Sequence, residues 1–246
     1  MEKVSIILTT YNSRENFEVT IASVLQQDYP GIEIVVKDGG STDGTVKAIR
    51  EYKKRLGSRL VWISEKDSGI YDAMNKGYQI SSGDIIVFFN DIFTTKHAVA
   101  HMVKAIREGG PDCMGAHADL VLMNGDKIVR KWKMGKGYFR TGWLPGHPTM
   151  YVKREVYETY GLYDTRYRCS SDYEFMIRAF YGREELLAYV PETIVKMFYG
   201  GMSTGGLNNY LVSLTEGHEA LKRNGVKFAW WIDFRRIIRV LLQFRH

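Results

Sequence analysis

The chain of 246 residues has only two cysteines and no acidic residue among its last twelve positions. Cys113 and Cys169 lie far apart without metal-type spacing, so we expect neither a disulfide framework nor a zinc site, and a reducing compartment is favoured. No stretch offers the roughly 20 consecutive apolar residues that a membrane span requires. The first residues enter a strand pattern directly, without the features of a signal peptide, which predicts a cytoplasmic protein.

The composition is that of a globular protein, with 45% hydrophobic and 25% charged residues. Four arginines in the last twelve residues account for much of the net charge of +6, so nucleic-acid binding by the body of the protein is not expected. We find no internal repeat and no low-complexity linker. The sequence therefore predicts one domain over residues 1–215, with halves at 1–100 and 101–215, followed by a tail over 216–246.

Four short apolar runs alternate with helical patterns in the first half of the chain. They lie at Val4–Leu8, Ile32–Val36, Leu60–Ile63 and Ile85–Phe89. Apolar strands that alternate with helices are typical of a parallel sheet covered on both faces. We therefore predict an α/β fold with a doubly wound, mostly parallel sheet, and expect the polar clusters after each strand to meet at one sheet edge.

The second half has a looser pattern. Two strand-like pieces flank Asn124-Gly125-Asp126, which predicts a hairpin. The glycine-rich stretch from Gly135 to Gly146 is interpreted as a mobile loop, Asp172 to Tyr181 as a helix, and Leu187 to Val190 as a strand.

The segment from Ser64 to Gly77 places carboxylates, an amide and glycines in the first turns of a helix. We expect Asp67 or Ser68 to cap that helix. Asp72 lies in its first turns, and Asn75 follows Tyr71 by one turn, so polar groups gather where free backbone N–H groups attract anions. This pattern is typical of a ligand-binding face.

Three segments together resemble the bacterial family 2 glycosyltransferases, which have the GT-A fold. They are Val4–Ser13, Lys37–Thr45 and Asp67–Gly77. Weaker matches follow at Gly146–Thr149, Tyr160–Asp164, Ser171–Phe175 and Gly200–Ser203. The resemblance implies an inverting transferase that moves a sugar from a nucleotide sugar, usually a UDP-sugar, to a hydroxyl of a glycan or lipid-linked acceptor, in a subgroup that builds surface polysaccharides such as lipopolysaccharide.

The loops after the first two strands carry the predicted nucleotide contacts. Thr9, Tyr11 and Asn12 offer hydroxyl and amide groups and an aromatic ring that stacks on a base, and in the family this loop binds uridine. Asp38 is suited to accept from the N3–H of uracil, while Gly39 lets the backbone turn tightly beside it. The neighbouring residues Ser41 and Asp43 are interpreted as helix caps.

The resemblance assigns further donor contacts to the helix after the third strand and to the end of the fourth. Its donor-side residues are Asp67, Tyr71, Asp72, Asn75 and Asn90. Solvated side chains are the alternative for Asp67 and for the neighbouring Lys76.

The segment Asn90-Asp91-Ile92 departs from the family, which usually has a D-x-D-like motif there for Mn²⁺ or Mg²⁺. Asp91 is the single carboxylate left, and we predict it as the metal ligand. Three alternatives stay open: weak binding of the ion with help from other groups, replacement of the ion by basic residues, or an Asp91 that caps a helix starting near Thr94.

Asp172 is the predicted general base, because it aligns with the family's acid that faces the acceptor hydroxyl. A helix N-cap is the alternative role, and Glu174 is the reserve candidate. His147 and Asp119 are expected on the acceptor side, and Ser203 with Thr204 in a lid over the diphosphate.

The tail from Val226 has the pattern of a basic, aromatic amphipathic helix, which suits an anionic membrane surface. Packing on its own domain or on a second copy is the alternative, and the sequence favours no oligomeric state. Two other functions are alternatives: a non-catalytic GT-A subunit that binds nucleotide or glycan, and a sugar nucleotidyltransferase, which the absence of a glycine-rich loop after the first strand disfavours.

Overall fold

The structure is a computed structural model, and it describes residues 1–198 and 207–242. Within these residues the strands are β1 (Val4–Thr10), β2 (Ile32–Asp38), β3 (Leu60–Ser64), β4 (Ile85–Phe88), β5 (Ile92–Phe93), β6 (Gly115–Asn124), β7 (Lys127–Trp132), β8 (Tyr151–Lys153) and β9 (Leu187–Phe198). The α-helices are α1 (Arg14–Leu25), α2 (Thr45–Leu56), α3 (Ile70–Ile80), α4 (Ala98–Glu108), α5 (Arg154–Tyr160), α6 (Ser171–Phe180), α7 (Leu207–Arg223) and α8 (Ala229–Leu242).

The strands form one mixed sheet in the order β3-β2-β1-β4-β8-β6-β9-β5, and β7 pairs with β6. The strands β1 to β4 are mutually parallel, as predicted, because a helix between each strand and the next returns the chain to the same end of the sheet. Beyond β4 the sheet becomes mixed, since β8 is antiparallel to both β4 and β6. The β4–β8 pair thus joins the parallel half to the acceptor half predicted over 101–215.

Each face of the sheet is covered by its own hydrophobic cluster, because successive strand residues point to opposite sides. Ile6 packs on one face with Phe17 and Ile49 from the helices α1 and α2. Its neighbour Ile7 packs on the other face with Met74 of α3 and Phe175 of α6. The helices α3 and α6, which carry predicted donor and base residues, therefore lie on the same face.

Two predictions for the second half differ from the structure. The stretch from Gly135 to Gly146 is packed rather than loose, since Phe139 is fully buried and the Nε1 of Trp143 donates to the Met134 carbonyl at 3.0 Å. The strand predicted to end at Val190 continues to Phe198 as β9. The hairpin around Asn124-Gly125-Asp126 is confirmed as β6 and β7.

The C-terminal helices pack on the body of the protein. The boundary predicted between residues 215 and 216 falls inside α7, and the division itself stays a prediction. Ala229 and Ile232 of α8 are buried in the cluster with α6, and the Arg236 guanidinium lies 4.5 Å from the Tyr173 ring. No helix of the described chain is both long enough and apolar enough to cross a membrane.

A buried carboxylate beside β1 predicts sensitivity to acid. Burial alone would raise the pKa of Glu33, but hydrogen bonds from Lys3, Ser5 and Ser82 outweigh it and lower that pKa from 4.5 to about 2. Because the folded pKa is depressed, this stabilisation is present above pH 4.5 and is lost as the pH falls towards 2. We expect Glu33→Gln to lower the free energy of unfolding at pH 7 by about 1 to 2 kcal/mol. This loss is smaller than the pKa shift alone would give, because Lys3 is half exposed and solvent screens its charge. Urea titrations at pH 7 and pH 3 measure this, and an equal loss at both pH values would contradict it.

Candidate active site

Polar residues at the ends of the parallel strands lie side by side. In the sheet register Thr10 of β1 pairs with Asp38 of β2, which pairs with Ser64 of β3. Asn90, just after β4, accepts a hydrogen bond from the Thr9 backbone N–H at 3.0 Å and donates to the Thr9 hydroxyl at 2.8 Å. The ends of all four strands therefore form one polar edge, which we call the donor edge.

The loops after β1 and β2 are bonded to each other at the donor edge. Asn12 has a positive φ of 44°, and its side-chain oxygen accepts from the Thr42 backbone N–H at 2.8 Å. Its own N–H donates to the Ser41 hydroxyl at 2.8 Å. Asparagine tolerates this left-handed conformation better than most residues, so Asn12 fixes the approach of the two loops.

Asp38 is fully buried, and its carboxylate organises the loop that follows it. It accepts from the backbone N–H groups of Gly40 and Ser41 at 2.9 Å each, and from the Ser64 hydroxyl at 2.6 Å. The Ser41 hydroxyl also donates to Asp38, so Ser41 does not cap a helix as predicted. Asp43 does bond the first residue of α2, accepting from the Thr45 N–H at 3.0 Å. A contact of Asp38 with uracil stays a prediction.

Gly39 lies between an exposed aromatic ring and a carboxylate. A Cβ atom at this position would stand 3.1 Å from Cδ2 of Tyr11 and 3.0 Å from Oδ2 of Asp67. Tyr11 is 64% exposed, so its aromatic ring is accessible for stacking on a flat ligand. These three predicted donor residues are therefore immediate neighbours.

Lys37 is a site residue that sequence reasoning missed. Its side chain is fully buried at the end of β2, and Nζ donates to the carbonyls of Asp38 and Glu65 and to Oδ2 of Asp67, each at 2.8 Å. A buried ammonium with all three donors satisfied fixes its partners in place. The signal was a lysine inside an otherwise apolar strand, directly before Asp38.

The carboxylates of Asp67, just before α3, and of Asp72, in its first turn, bond the backbone ahead of the helix, and neither residue is the N-cap. The N-cap residue is Gly69, whose φ of 133° suits glycine, and neither Asp67 nor Ser68 is the cap. Asp67 accepts from the Gly69 N–H at 3.2 Å, and Asp72 accepts from the Ser68 N–H at 2.9 Å. Lys76 lies 3.3 Å from Asp72, so these groups form a network at the surface.

Tyr71 and Asn75 point from α3 towards the acceptor half. The Tyr71 hydroxyl donates to Oδ1 of Asp172 at 2.9 Å. The Asn75 amide makes two bonds with the main chain of Tyr163, at 2.8 and 3.0 Å. The structure thus uses both side chains to join the two halves, and a contact of either with the donor stays a prediction.

The hydroxyl of Tyr71 is an effective partner for Asp172. Burial and the charge of Asp172 hold the pKa of Tyr71 well above its usual value, so the hydroxyl keeps its proton. We expect Tyr71→Phe to lower kcat about thirtyfold by releasing the carboxylate, because a hydrogen bond to a charged group contributes roughly 2 kcal/mol. Steady-state kinetics with the donor varied measures this. An unchanged kcat with a raised donor KM would instead indicate a direct donor contact.

Asp172 is the second residue of α6 and is partly exposed. The turn before it is held by Glu216 of α7, whose carboxylate accepts from the N–H groups of Arg168 and Cys169 at 2.8 Å and of Ser170 at 3.0 Å. The reserve candidate Glu174 is buried and paired with Arg178 at 2.9 Å. Glu216 had no sequence signal, because it lies 44 positions after Asp172.

The two predicted acceptor residues have different surroundings. Nε2 of His147 and the Tyr163 hydroxyl share a hydrogen bond of 2.8 Å. Burial lowers the pKa of His147 while the charge of Asp172 opposes this, and the net shift leaves a neutral imidazole at pH 7. Asp119 is buried and accepts from the Met134 N–H at 2.7 Å and from the Tyr189 hydroxyl at 3.0 Å. An acceptor contact stays a prediction for both.

Asp91 is buried beneath the donor edge. It accepts from the Phe198 N–H at 3.1 Å, and burial raises its pKa from 3.8 to about 7. Its chain neighbours Ile92 and Phe93 form β5, and α4 begins only at Ala98, so Asp91 does not cap that helix. No group of three His, Cys, Asp or Glu side chains in the described residues is arranged to hold a metal. Within the described part of the chain Asp91 is thus a lone carboxylate, which does not make a complete metal site.

A cavity of about 500 Å³ opens beside Asp172, between β7, the packed glycine-rich segment and the helices α6, α7 and α8. Its described lining includes Asp172 and His147 and contains none of the predicted donor residues. Ser203 and Thr204, the predicted lid, lie outside the described residues. The predicted base therefore stands between the donor edge and a separate cavity.

A parallel nucleotide-type half joined to a mixed second half, with a carboxylate at the junction, defines the GT-A class of glycosyltransferase. The family "Glycosyl transferase family 2" matches residues 5–171. The chain therefore belongs to glycosyl transferase family 2 and is a glycosyltransferase.

Individual relatives agree with this assignment. The chain is 30% identical over 229 residues to a "PGL/p-HBAD biosynthesis glycosyltransferase" of Mycobacterium tuberculosis, covering 89% of this chain and 82% of the relative. It shares its fold with S. aureus TarS in complex with UDP-GlcNAc, with a TM-score of 0.71, 19% identity, and coverage of 91% and 66% of the two chains. It also matches a Pyrobaculum calidifontis mannosyltransferase solved with GDP-Man and Mn²⁺, with a TM-score of 0.66, 17% identity, and coverage of 98% and 74%.

Proposed function

We propose that this protein is an inverting, UDP-sugar-dependent glycosyltransferase that acts on a hydroxyl of a glycan or lipid-linked acceptor in surface polysaccharide or glycolipid synthesis. The position of Asp172 carries the proposal. Its carboxylate is bonded to α3, which begins at the donor edge, and it lines the cavity on the acceptor side. The relatives support the donor class, since one solved neighbour holds UDP-GlcNAc and another GDP-Man.

In the proposed reaction the acceptor oxygen attacks the anomeric carbon of the donor sugar. The new C–O bond forms as the bond between that carbon and the diphosphate oxygen breaks, and UDP leaves with the bonding electron pair. Asp172 takes the acceptor proton as attack develops. Tyr71 holds Oδ1 of Asp172 at 2.9 Å, which leaves the second oxygen for that proton. Attack from the side opposite to UDP inverts the anomeric centre.

A divalent ion, Mn²⁺ or Mg²⁺, belongs to this proposal as a partner of the diphosphate. Such an ion, when bound, would neutralise charge on the leaving group. Asp91 would be its one carboxylate among the described residues, and Mg²⁺ usually keeps several waters in sites of this kind. The incomplete ligand set is the observation that favours the second candidate, a non-catalytic nucleotide- or glycan-binding subunit.

We propose that the outer face of α8 binds the anionic inner face of the cell membrane. Trp230 and Phe234 of α8 are 64% and 50% exposed, and Phe228, just before the helix, is 71% exposed, while Ile232 on the opposite side of the helix is buried. A Trp230→Ser, Phe234→Ser double variant is expected to lose most of its sedimentation with phosphatidylglycerol vesicles, because exposed aromatic area drives such binding. Leu211→Ser, which removes an exposed apolar side chain from α7, is the matched control. Equal sedimentation of both variants would contradict the membrane contact.

Donor turnover tests the catalytic proposal. Purified protein is incubated with a panel of UDP- and GDP-sugars, and release of UDP or GDP is followed while proton NMR records the anomer of the freshly transferred or released sugar. We expect one UDP-sugar to be consumed with inversion. Binding of UDP without turnover of any donor, with or without added cell-envelope lipid extract as acceptor, would favour the non-catalytic subunit.

A further inference from the structure

The cavity beside Asp172 is lined mostly by apolar and aromatic side chains. Its apolar side chains come from all the surrounding elements, and include Trp132, Trp143, Leu144, Met176, Ile237 and Val240. Asp172 is the single carboxylate among the described lining residues, which include no Asn or Gln, so the other polar groups are Ser170, Ser213, Tyr173, Tyr210, His147 and the basic side chains. The walls are thus suited to an apolar group.

Positive charge accompanies these apolar walls. Arg130 is buried, stacks 4.3 Å from the Trp132 ring, and keeps its proton at pH 7 because burial lowers its pKa only to about 10. Arg236 lines the cavity with its side chain 12% exposed, while Lys133 and Arg239 are exposed. Arg236 lies 3.7 Å from Asp233, but Lys133 and Arg239 still outnumber Asp172, the single carboxylate among the described lining residues, so the cavity has an excess of positive charge.

We propose that this cavity is an acceptor subsite for an amphiphile, which places an apolar body among the aromatic walls and an acidic group, such as a phosphate ester, beside the arginines. The reacting hydroxyl then lies at Asp172, at the end of the same cavity. The inference rests on the proposed function, which it narrows from any glycan or lipid-linked acceptor to one with an apolar, acidic carrier. A volume of about 500 Å³ is in the range of sites that enclose a drug-sized group.

The exposed face of α8 fits this assignment. Val240 lines the cavity, whereas Ile238, two residues earlier on the same helix, is 40% exposed and lies outside the lining. One helix therefore presents aromatic groups outward and forms a wall of the cavity inward. An amphiphile held at a membrane surface would reach Asp172 along this helix.

Calorimetric binding of dodecyl phosphate below its micelle concentration tests the subsite without any turnover. Dodecyl maltoside is the uncharged control of equal chain length, and inorganic phosphate is the control without a chain. We expect dodecyl phosphate to bind about tenfold more tightly than dodecyl maltoside, and phosphate alone not to bind detectably. Equal affinity for the two amphiphiles would overturn the proposal that the cavity recognises an acidic group.

Two cavity variants and one matched control locate the binding. Val240→Trp fills the cavity and is expected to weaken dodecyl phosphate binding about tenfold or more, while Ile238→Trp stays within about twofold of wild type. Leu144→Glu, which places a carboxylate on another wall, is a second variant in case the first does not fold, and thermal melts of all three check folding. Unchanged binding in both cavity variants would overturn the proposal. UDP affinity, measured on the same samples, reports separately on the proposed function, because the donor edge does not line this cavity.

Discussion

An Asp172→Asn variant is expected to lose about 10³-fold in the rate of sugar transfer, while its affinity for UDP stays within about twofold of wild type. The amide has the shape of the carboxylate and still accepts from Tyr71, but it cannot take the acceptor proton. Initial rates of UDP release with acceptor present, together with calorimetric UDP binding, measure the two quantities.

The control for this variant is Asp126→Asn, the same chemical change in the exposed turn between β6 and β7. It is expected to transfer at the wild-type rate. Equal activity of Asp172→Asn and wild type would remove the assignment of the base. Loss of activity together with loss of UDP binding would instead indicate a role in holding the donor.

A Lys37→Met variant is expected to lower the free energy of unfolding by about 3 kcal/mol, because removing one partner of a buried ion pair leaves the other uncompensated. Removal of the Lys37 ammonium would also release Glu65 and Asp67, whose positions Lys37 fixes with hydrogen bonds of 2.8 Å. UDP affinity should fall with it, since Asp67 lies beside Gly39 on the donor edge. Urea denaturation and calorimetry measure the two effects.

Lys47→Met provides the comparison for Lys37, because Lys47 is exposed on α2. Its stability should change by less than about 0.5 kcal/mol. A loss for Lys37→Met no larger than that of Lys47→Met would contradict the role of the buried lysine.

The parallel half of the fold was predictable because its strands are covered on both faces and are therefore apolar throughout. The second half was less so, since its strands depend on contacts distant in sequence. Pro191 marked an apparent end of β9, but the register with β6 passes from Val190 directly to Thr193, so a bulge at Pro191 and Glu192 absorbs the interruption. The glycines from Gly135 to Gly146 suggested mobility, and the burial of Phe139 and Trp143 overrides that local signal.

The site shows a similar division. Sequence patterns identified residues that the structure places on the donor edge, such as Thr9, Gly39 and Asn90. They could not indicate that Tyr71 and Asn75 reach across to Asp172 and Tyr163, because those partners lie about 90 to 100 residues away along the chain. Periodicity places side chains on a helix face, whereas packing of α3 against the acceptor half decides what that face contacts.

The most direct test of the account is calorimetric titration of metal-stripped protein with UDP, with and without Mn²⁺, and with GDP as the control nucleotide. We predict that UDP binds at least about tenfold more tightly than GDP, that Mn²⁺ strengthens UDP binding, and that Asp38→Ala weakens it. Failure to bind UDP under either condition, or equal affinity for UDP and GDP, would contradict a uridine site at the donor edge.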